Sequence, residues 1–134
     1  MKRVFLTGAT GTMGLAALKE LLKEDSLEII TLVMDTKRDR KIIEPYLKEK
    51  DLKVYYGDLS NYDDVLKCVA GVDIVLHCAA LVSPQADRYP EAAMRTNYGS
   101  TVNIIRAIKA QPDWEKIKLV YIGTVAQTGD RMPP

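Results

Sequence analysis

Residues 4–14, VFLTGATGTMG, set a short apolar strand directly before three glycines and a helix-forming run. Few arrangements accommodate that order. Val4, Phe5 and Leu6 suit a buried strand, and Gly8 permits a tight turn after it. Gly11 lets backbone N–H groups approach a pyrophosphate, and Gly14 lets a helix over Leu15–Lys23 pack closely on the strand. Thr10, Thr12 and Met13, standing between the glycines, count with them as cofactor-binding positions. The helix N-terminus would add N–H donors and a partial positive charge for phosphates. A P-loop would need Lys and Ser/Thr straight after its last glycine, and Leu15 with Ala16 excludes it. The strand–glycine–helix order therefore implies dinucleotide binding.

The rest of the chain repeats the alternation of strand and helix, which implies a parallel sheet covered on both faces. Strands are expected at Arg3–Thr7, Glu28–Met34, Leu52–Tyr56, Asp73–His77 and Ile117–Ile122. Four are near-continuous apolar runs suited to burial on both faces. The third, LKVYY, alternates and suits an edge. Helix one carries Ala17, Leu18, Leu21 and Leu22 on one face, with Lys19, Glu20 and Lys23 opposite. Further helices are expected over about Lys41–Lys50, Tyr62–Val69 (capped by Ser60 or Asn61) and Glu91–Ala110, the last starting just after Pro90. Pro133 and Pro134 imply an extended end.

At 134 residues the chain is expected to be one domain with a real core. A net charge of +1 offers no attraction for nucleic acid or an anionic membrane. Cys68 and Cys78 make no CxxC pair, are too few for a disulfide framework and are expected to be reduced core thiols. No apolar stretch approaches the ~20 residues of a membrane span, and a strand at the N-terminus leaves no room for a signal peptide. A cytoplasmic location is expected.

The glycines sit three apart, and TGATGxxG resembles the fingerprint of the short-chain dehydrogenase/reductase superfamily, in its extended, epimerase/dehydratase-like branch. The resemblance covers essentially the whole chain. It implies a Rossmann-type doubly wound parallel sheet of about five strands in the order 3-2-1-4-5, with NAD(P) as cofactor. Asp35, 21 residues after Gly14, stands near the acidic position that grips the adenosine ribose and repels a 2′-phosphate. NAD is thereby preferred over NADP, although Lys37, Arg38 and Arg40 form either a solvated loop or a 2′-phosphate site. Tyr56-Gly57-Asp58-Leu59 resembles the turn that holds the adenine; Asp58 is otherwise a turn residue capping the next helix. His77-Cys78-Ala79-Ala80 resembles the H-x-A-A/G segment, with Ala79 and Ala80 lining the cofactor. His77, the lone histidine, is expected to be a hydrogen-bonded structural residue rather than a catalytic one. Asn97 resembles the asparagine of N-x-x-G-T, which ties its helix to strand four; Ser100 stands in the glycine position and Thr101 is retained. LVYIGTVAQTG resembles V-Y-x-S-S/T-x-A-x-Y-G, which puts Thr124 on the catalytic Ser/Thr, with Gly123 replacing a Ser and Thr128 a Tyr.

The family's proton-transfer motif, Y-x-x-x-K, is expected on the helix after strand five. Its one literal match, Tyr46 to Lys50, lies between strands two and three and is a coincidence. The chain therefore resembles the N-terminal, cofactor-binding half or less of an extended-family subunit, without the catalytic helix and the substrate domain, and is expected to be inactive alone. Three readings follow: part of an epimerase, dehydratase or reductase acting on a small molecule, a nucleotide sugar among the options; a non-catalytic NAD(P) sensor; or an α/β interaction module. A homodimer is left open.

Overall fold

A computed structural model describes residues 1–82, 84–124 and 129. Five strands, β1 (Lys2–Thr7), β2 (Leu27–Val33), β3 (Leu52–Tyr56), β4 (Ile74–His77) and β5 (Lys118–Tyr121), form one parallel sheet in the order β3-β2-β1-β4-β5. The expected order is borne out. The connecting helices are α1 (Thr12–Leu21), α2 (Lys37–Ile43), α3 (Tyr62–Val69), α4 (Gln85–Arg88), α5 (Pro90–Ala93) and α6 (Ser100–Lys109). A π-helical turn, Met94–Gly99, joins α5 to α6.

Side chains alternate across each strand, so the sheet buries two separate cores. Phe5, Ile30, Leu32 and Val75 pack on one face against Val65, Cys68 and Val69 of α3 and Ile104, Ala107 and Ile108 of α6. Leu6, Ile29 and Val33 pack on the other against Leu18 of α1 and Ile43 of α2. Gly14 makes the second packing possible: a Cβ there would lie 1.8 Å from the Gly8 carbonyl oxygen.

Several boundaries differ from expectation. Helix α1 begins at Thr12 and ends at Leu21, closer to the glycines than Leu15–Lys23. Helix α2 starts at Lys37 rather than Lys41, because Thr36 caps it by accepting from the Asp39 N–H at 3.1 Å. It gives way at Pro45 to a short 3-10 turn, Glu44–Tyr46. The long fourth helix is interrupted by the π turn and preceded by the unforeseen α4. Strand β5 is not buried on both faces among the described residues. Leu119 packs on the first core, whereas Val120, Tyr121 and Ile122 are exposed. Cys68 is buried, but Cys78 is only half-buried; both are free thiols. Pro133 and Pro134 lie outside the described residues.

Candidate dinucleotide site

The chain runs β1–β2–β3 to one side and then returns to place β4 beside β1. That reversal opens a crevice at the carboxyl ends of β1 and β4, where open α/β sheets bind ligands. Gly8 follows β1 there with φ +75°, a conformation that strains any side chain. Its place is fixed from the β4 side as well, since a Cβ on Gly8 would lie 2.8 Å from the Ala79 nitrogen. The Gly11 N–H closes the turn on the Gly8 carbonyl at 2.9 Å.

Helix α1 begins next to this turn, with Gly11 as its N-cap. No side chain caps it, and its first turn holds no acidic residue. The first α-helical bond runs from Leu15 N–H to the Gly11 carbonyl, so the Thr12, Met13 and Gly14 N–H groups precede the ladder. Gly11, Thr12 and Met13 are exposed. A Cβ on Gly11 would meet only the Gly8 oxygen, at 3.4 Å. The open face, the uncapped donors and the positive helix end form a cradle that suits a pyrophosphate.

At the carboxyl end of β2, Asp35 is exposed and accepts from Arg40 Nε at 2.5 Å. That hydrogen bond holds the Asp35 carboxyl below its ordinary range. The Arg40 guanidinium lies 3.8 Å over the Tyr56 ring at the end of β3. Arg40, Lys37, Lys41, Glu44, Leu47 and Tyr56 line a shallow groove beside this group. Sequence reasoning missed Asp39, which is buried and accepts from Thr10 Oγ1 at 2.7 Å and from Thr36 Oγ1. Thr10 thereby ties the glycine loop to the β2–α2 connection. The Thr36-x-x-Asp39 spacing, a capping-box pattern, was the available signal.

Asp58 is a turn residue: Oδ1 accepts from the Ser60 N–H at 2.8 Å, while Asn61 caps α3. The Leu59 carbonyl is held by Asn103 Nδ2 at 2.9 Å. Both stand at the carboxyl end of β3, the same edge of the sheet as Gly8. Ala79 lies against Gly8, and Ala80 is exposed next to it. Asn97, on the π turn, clasps the segment after β4 at both backbone groups of Leu81. It accepts from the Leu81 N–H at 2.7 Å and donates to the Leu81 carbonyl at 2.9 Å. The tie between this helix and strand four is thus present.

His77 bonds Thr7 Oγ1 at 2.7 Å and Thr101 Oγ1 at 3.0 Å, which fits a structural histidine. Burial lowers its pKa below the ordinary value. Burial also raises the Cys68 thiol to about 12 and moves Cys78 upward, so both stay protonated near neutral pH. Thr124 is exposed beyond the carboxyl end of β5, at the same end of the sheet as the glycine turn. Thr128 lies outside the described residues. Tyr46 and Lys50 precede β3, at the amino ends of the strands and away from the crevice. Among the described residues, no cluster of His, Cys, Asp and Glu suits a metal ion, and no helix is long and apolar enough to cross a membrane.

With this geometry in place, comparison with known proteins is decisive at the family level. The model of the NAD dependent epimerase/dehydratase family matches residues 4–134. The chain belongs to that family. It is 36% identical over 110 residues to a UDP-glucose 4-epimerase of Rickettsia bellii (strain RML369-C), an alignment covering 79% of this chain and 32% of the relative. The chain therefore spans about a third of the length of the curated relatives it matches. Among solved structures, Pen from Bacillus thuringiensis is 28% identical with a TM-score of 0.70, covering 79% of this chain and 33% of that one. UDP-glucuronic acid 4-epimerase from Bacillus cereus in complex with NAD superposes with a TM-score of 0.77. At 22% identity over 98% of this chain and 42% of its own, that likeness speaks for the fold alone.

Proposed function

We propose that this chain is the dinucleotide-binding portion of an NAD-dependent epimerase whose substrate is a nucleotide sugar. The observation that carries the reading is the uncapped, acid-free N-terminus of α1 facing the Gly8–Gly11 turn. The name of the relatives, UDP-glucose 4-epimerase, supports the substrate class. The Thr12, Met13 and Gly14 N–H groups would hold the pyrophosphate, and Gly11 would leave room for it. Asp35 would accept from the adenosine ribose hydroxyls. Asp58 and Leu59 would face the adenine, and Ala79, Ala80 and Asn97 would bound the cofactor along the carboxyl end of β4. The bound nicotinamide would supply the hydride acceptor and donor. Thr124 would orient a substrate hydroxyl or carbonyl by hydrogen bonding.

NAD is the preferred cofactor in this reading, since the Asp35 carboxylate repels a 2′-phosphate. Arg40 already neutralises part of that charge, so the preference is modest. The 134-residue polypeptide is inactive alone, because its only Tyr-x-x-x-Lys pair, Tyr46 and Lys50, lies away from the crevice. In this reading it works in the cytoplasm, on a small molecule and without nucleic acid or membrane. Calorimetric titration with NAD, NADH and NADP tests the reading. Saturable binding, tighter for NAD than for NADP, supports it, whereas no heat at millimolar ligand would sink it. An epimerase assay on UDP-glucose tests the predicted inactivity, which measurable turnover would contradict.

A further inference from the structure

The hydrogen bonds around His77 fix where its proton sits. Thr101 Oγ1 donates to the Asn97 carbonyl at 2.8 Å, so toward His77 it can only accept. Nε2, 3.0 Å away, must therefore carry a proton. At the other end, Thr7 Oγ1 accepts from the Cys78 and Ala79 N–H groups, each at 3.1 Å. Those bonds use both its lone pairs, and its own proton must go to His77 Nδ1 at 2.7 Å. The imidazole is then neutral, protonated on Nε2. Thr7 is 0% exposed and His77 2%, so water does not compete for these bonds.

The relay begins at the turn that presses against Gly8 and ends at the carbonyl of Asn97. The Asn97 side chain in turn grips Leu81, two residues beyond Ala79. We propose that His77, held as the neutral Nε2–H tautomer, is a positioning residue: through Thr7 it holds the Cys78–Ala79 backbone against the glycine turn, and through Thr101 it seats Asn97 on Leu81. The cradle and the helical wall facing it are thereby aligned by one buried arrangement of protons. This inference rests on the dinucleotide-binding reading of the crevice.

A second proton on His77 breaks the arrangement. Nδ1–H would point at Thr7 Oγ1, whose lone pairs are taken, and Thr7 would have to release Cys78 or Ala79. Among the described residues, the neighbours offer no compensating charge. Thr7 from β1 and Thr101 from α6 are neutral. Tyr121 from β5, with ring centroids 5.8 Å apart, and the adjoining Cys78 thiol are the titratable groups beside it. Burial pushes the Cys78 thiol above its ordinary pKa and so favours its neutral form.

The test compares the full 134-residue chain with His77→Gln and His77→Leu. Glutamine can accept from Thr7 and donate to Thr101 but does not titrate; leucine does neither. Long-range proton–nitrogen NMR of the wild-type imidazole is expected to show the neutral Nε2–H form, and an Nδ1–H tautomer or an imidazolium at neutral pH would overturn the relay. By calorimetry, His77→Gln is expected to bind NAD within about threefold of wild type, and His77→Leu about tenfold or more weakly, as for a buried group left unpaired. Lowering the pH until NMR shows the His77 imidazolium should weaken NAD binding by the wild type and leave His77→Gln unchanged over the same range. If His77→Leu does not fold, the pH comparison between wild type and His77→Gln decides. Equal acid sensitivity in those two, or undiminished binding by folded His77→Leu, overturns the positioning role alone. No NAD binding by the wild type overturns the cofactor reading and this role together, while the NMR result still judges the hydrogen-bond relay.

Discussion

Replacing Gly14 by alanine is the sharpest perturbation the structure offers, because two large effects oppose each other. Alanine is the better helix former by about 1 kcal/mol, and Gly14 sits in the first turn of α1. The added methyl, however, would lie 1.8 Å from the Gly8 oxygen, 2.3 Å from the Gly8 carbonyl carbon and 3.0 Å from the Ala9 nitrogen. All three are backbone atoms, so no side chain can rotate away. The helix must instead retreat by more than an ångström, loosening Leu18 and its neighbours on Leu6 and Ile29. A clash with three backbone atoms puts the overpacking cost at the upper end of its usual range, about 3 kcal/mol, and the gain in helix propensity leaves a net loss of about 2 kcal/mol. In a domain of this size that lowers Tm by about 6–10 °C. Gly11→Ala is the control. Its Cβ meets only the Gly8 oxygen at 3.4 Å, and its φ of −87° suits alanine. It should leave Tm within about 2 °C of wild type, yet weaken NAD binding by crowding the open face of the cradle. Thermal unfolding followed by circular dichroism, with calorimetry for NAD, separates the two. A Gly14→Ala variant as stable as wild type would refute the reasoning that close packing at the turn demands glycine.

Four further outcomes are expected. Ser100 is 1% exposed and its Oγ has no hydrogen-bond partner among the described residues, so Ser100→Ala should raise stability by about 1 kcal/mol in urea unfolding; a loss of that size would mean that the hydroxyl is satisfied. Asn61 caps α3 by accepting from the Asp63 and Asp64 N–H groups at 3.0 and 3.3 Å, and Asn61→Ala should cost about 1 kcal/mol in the same assay. Arg40→Ala should return the Asp35 carboxyl to its ordinary range in an NMR titration and weaken NADP binding more than NAD binding, since the cation is lost and the carboxylate stays. Wild-type stability should fall as the pH drops below about 6.5, because the unfolded chain binds a proton that buried His77 resists, whereas His77→Gln should lack that component.

What could be read from the sequence is what neighbouring residues decide. The five strands are short apolar runs ending at turn residues, and their order follows from a family fingerprint carried by the glycine turn. Helix α3 lies at Tyr62–Val69 as expected, because its cap, its acidic first turn and its apolar spacing all fall within nine residues. Gly14 is equally local, since its neighbours are Gly8 and Ala9 of the turn, and the positive φ of Gly8 belongs to that same turn, although Ala79 hems it from the β4 side. His77 as a buried hydrogen-bonded residue was legible from an apolar strand ending in a single polar ring.

The rest depends on pairings between distant residues. The first five residues of Lys37–Ile43 are all charged and show no apolar period; Thr36 starts the helix, and Asp39 is buried where Thr10, 29 residues away, bonds to it. Arg40 reaches Tyr56 only because parallel pairing sets Val33 opposite Tyr56 and brings the exits of β2 and β3 together. The π turn has no signal in its residues, yet it carries Asn97, whose amide pairs with both backbone groups of Leu81. A π turn admits an extra residue into the helix and so redirects a side chain without ending the helix. Strand β5 fails for the opposite reason: its residues are apolar enough for burial, but burial needs a covering layer, and composition says nothing about whether one is present. Each departure lies where a tertiary contact outweighs local preference. Except for β5, those contacts surround the crevice, since a site assembled from four strand exits can be specified only by residues that meet after the sheet has formed.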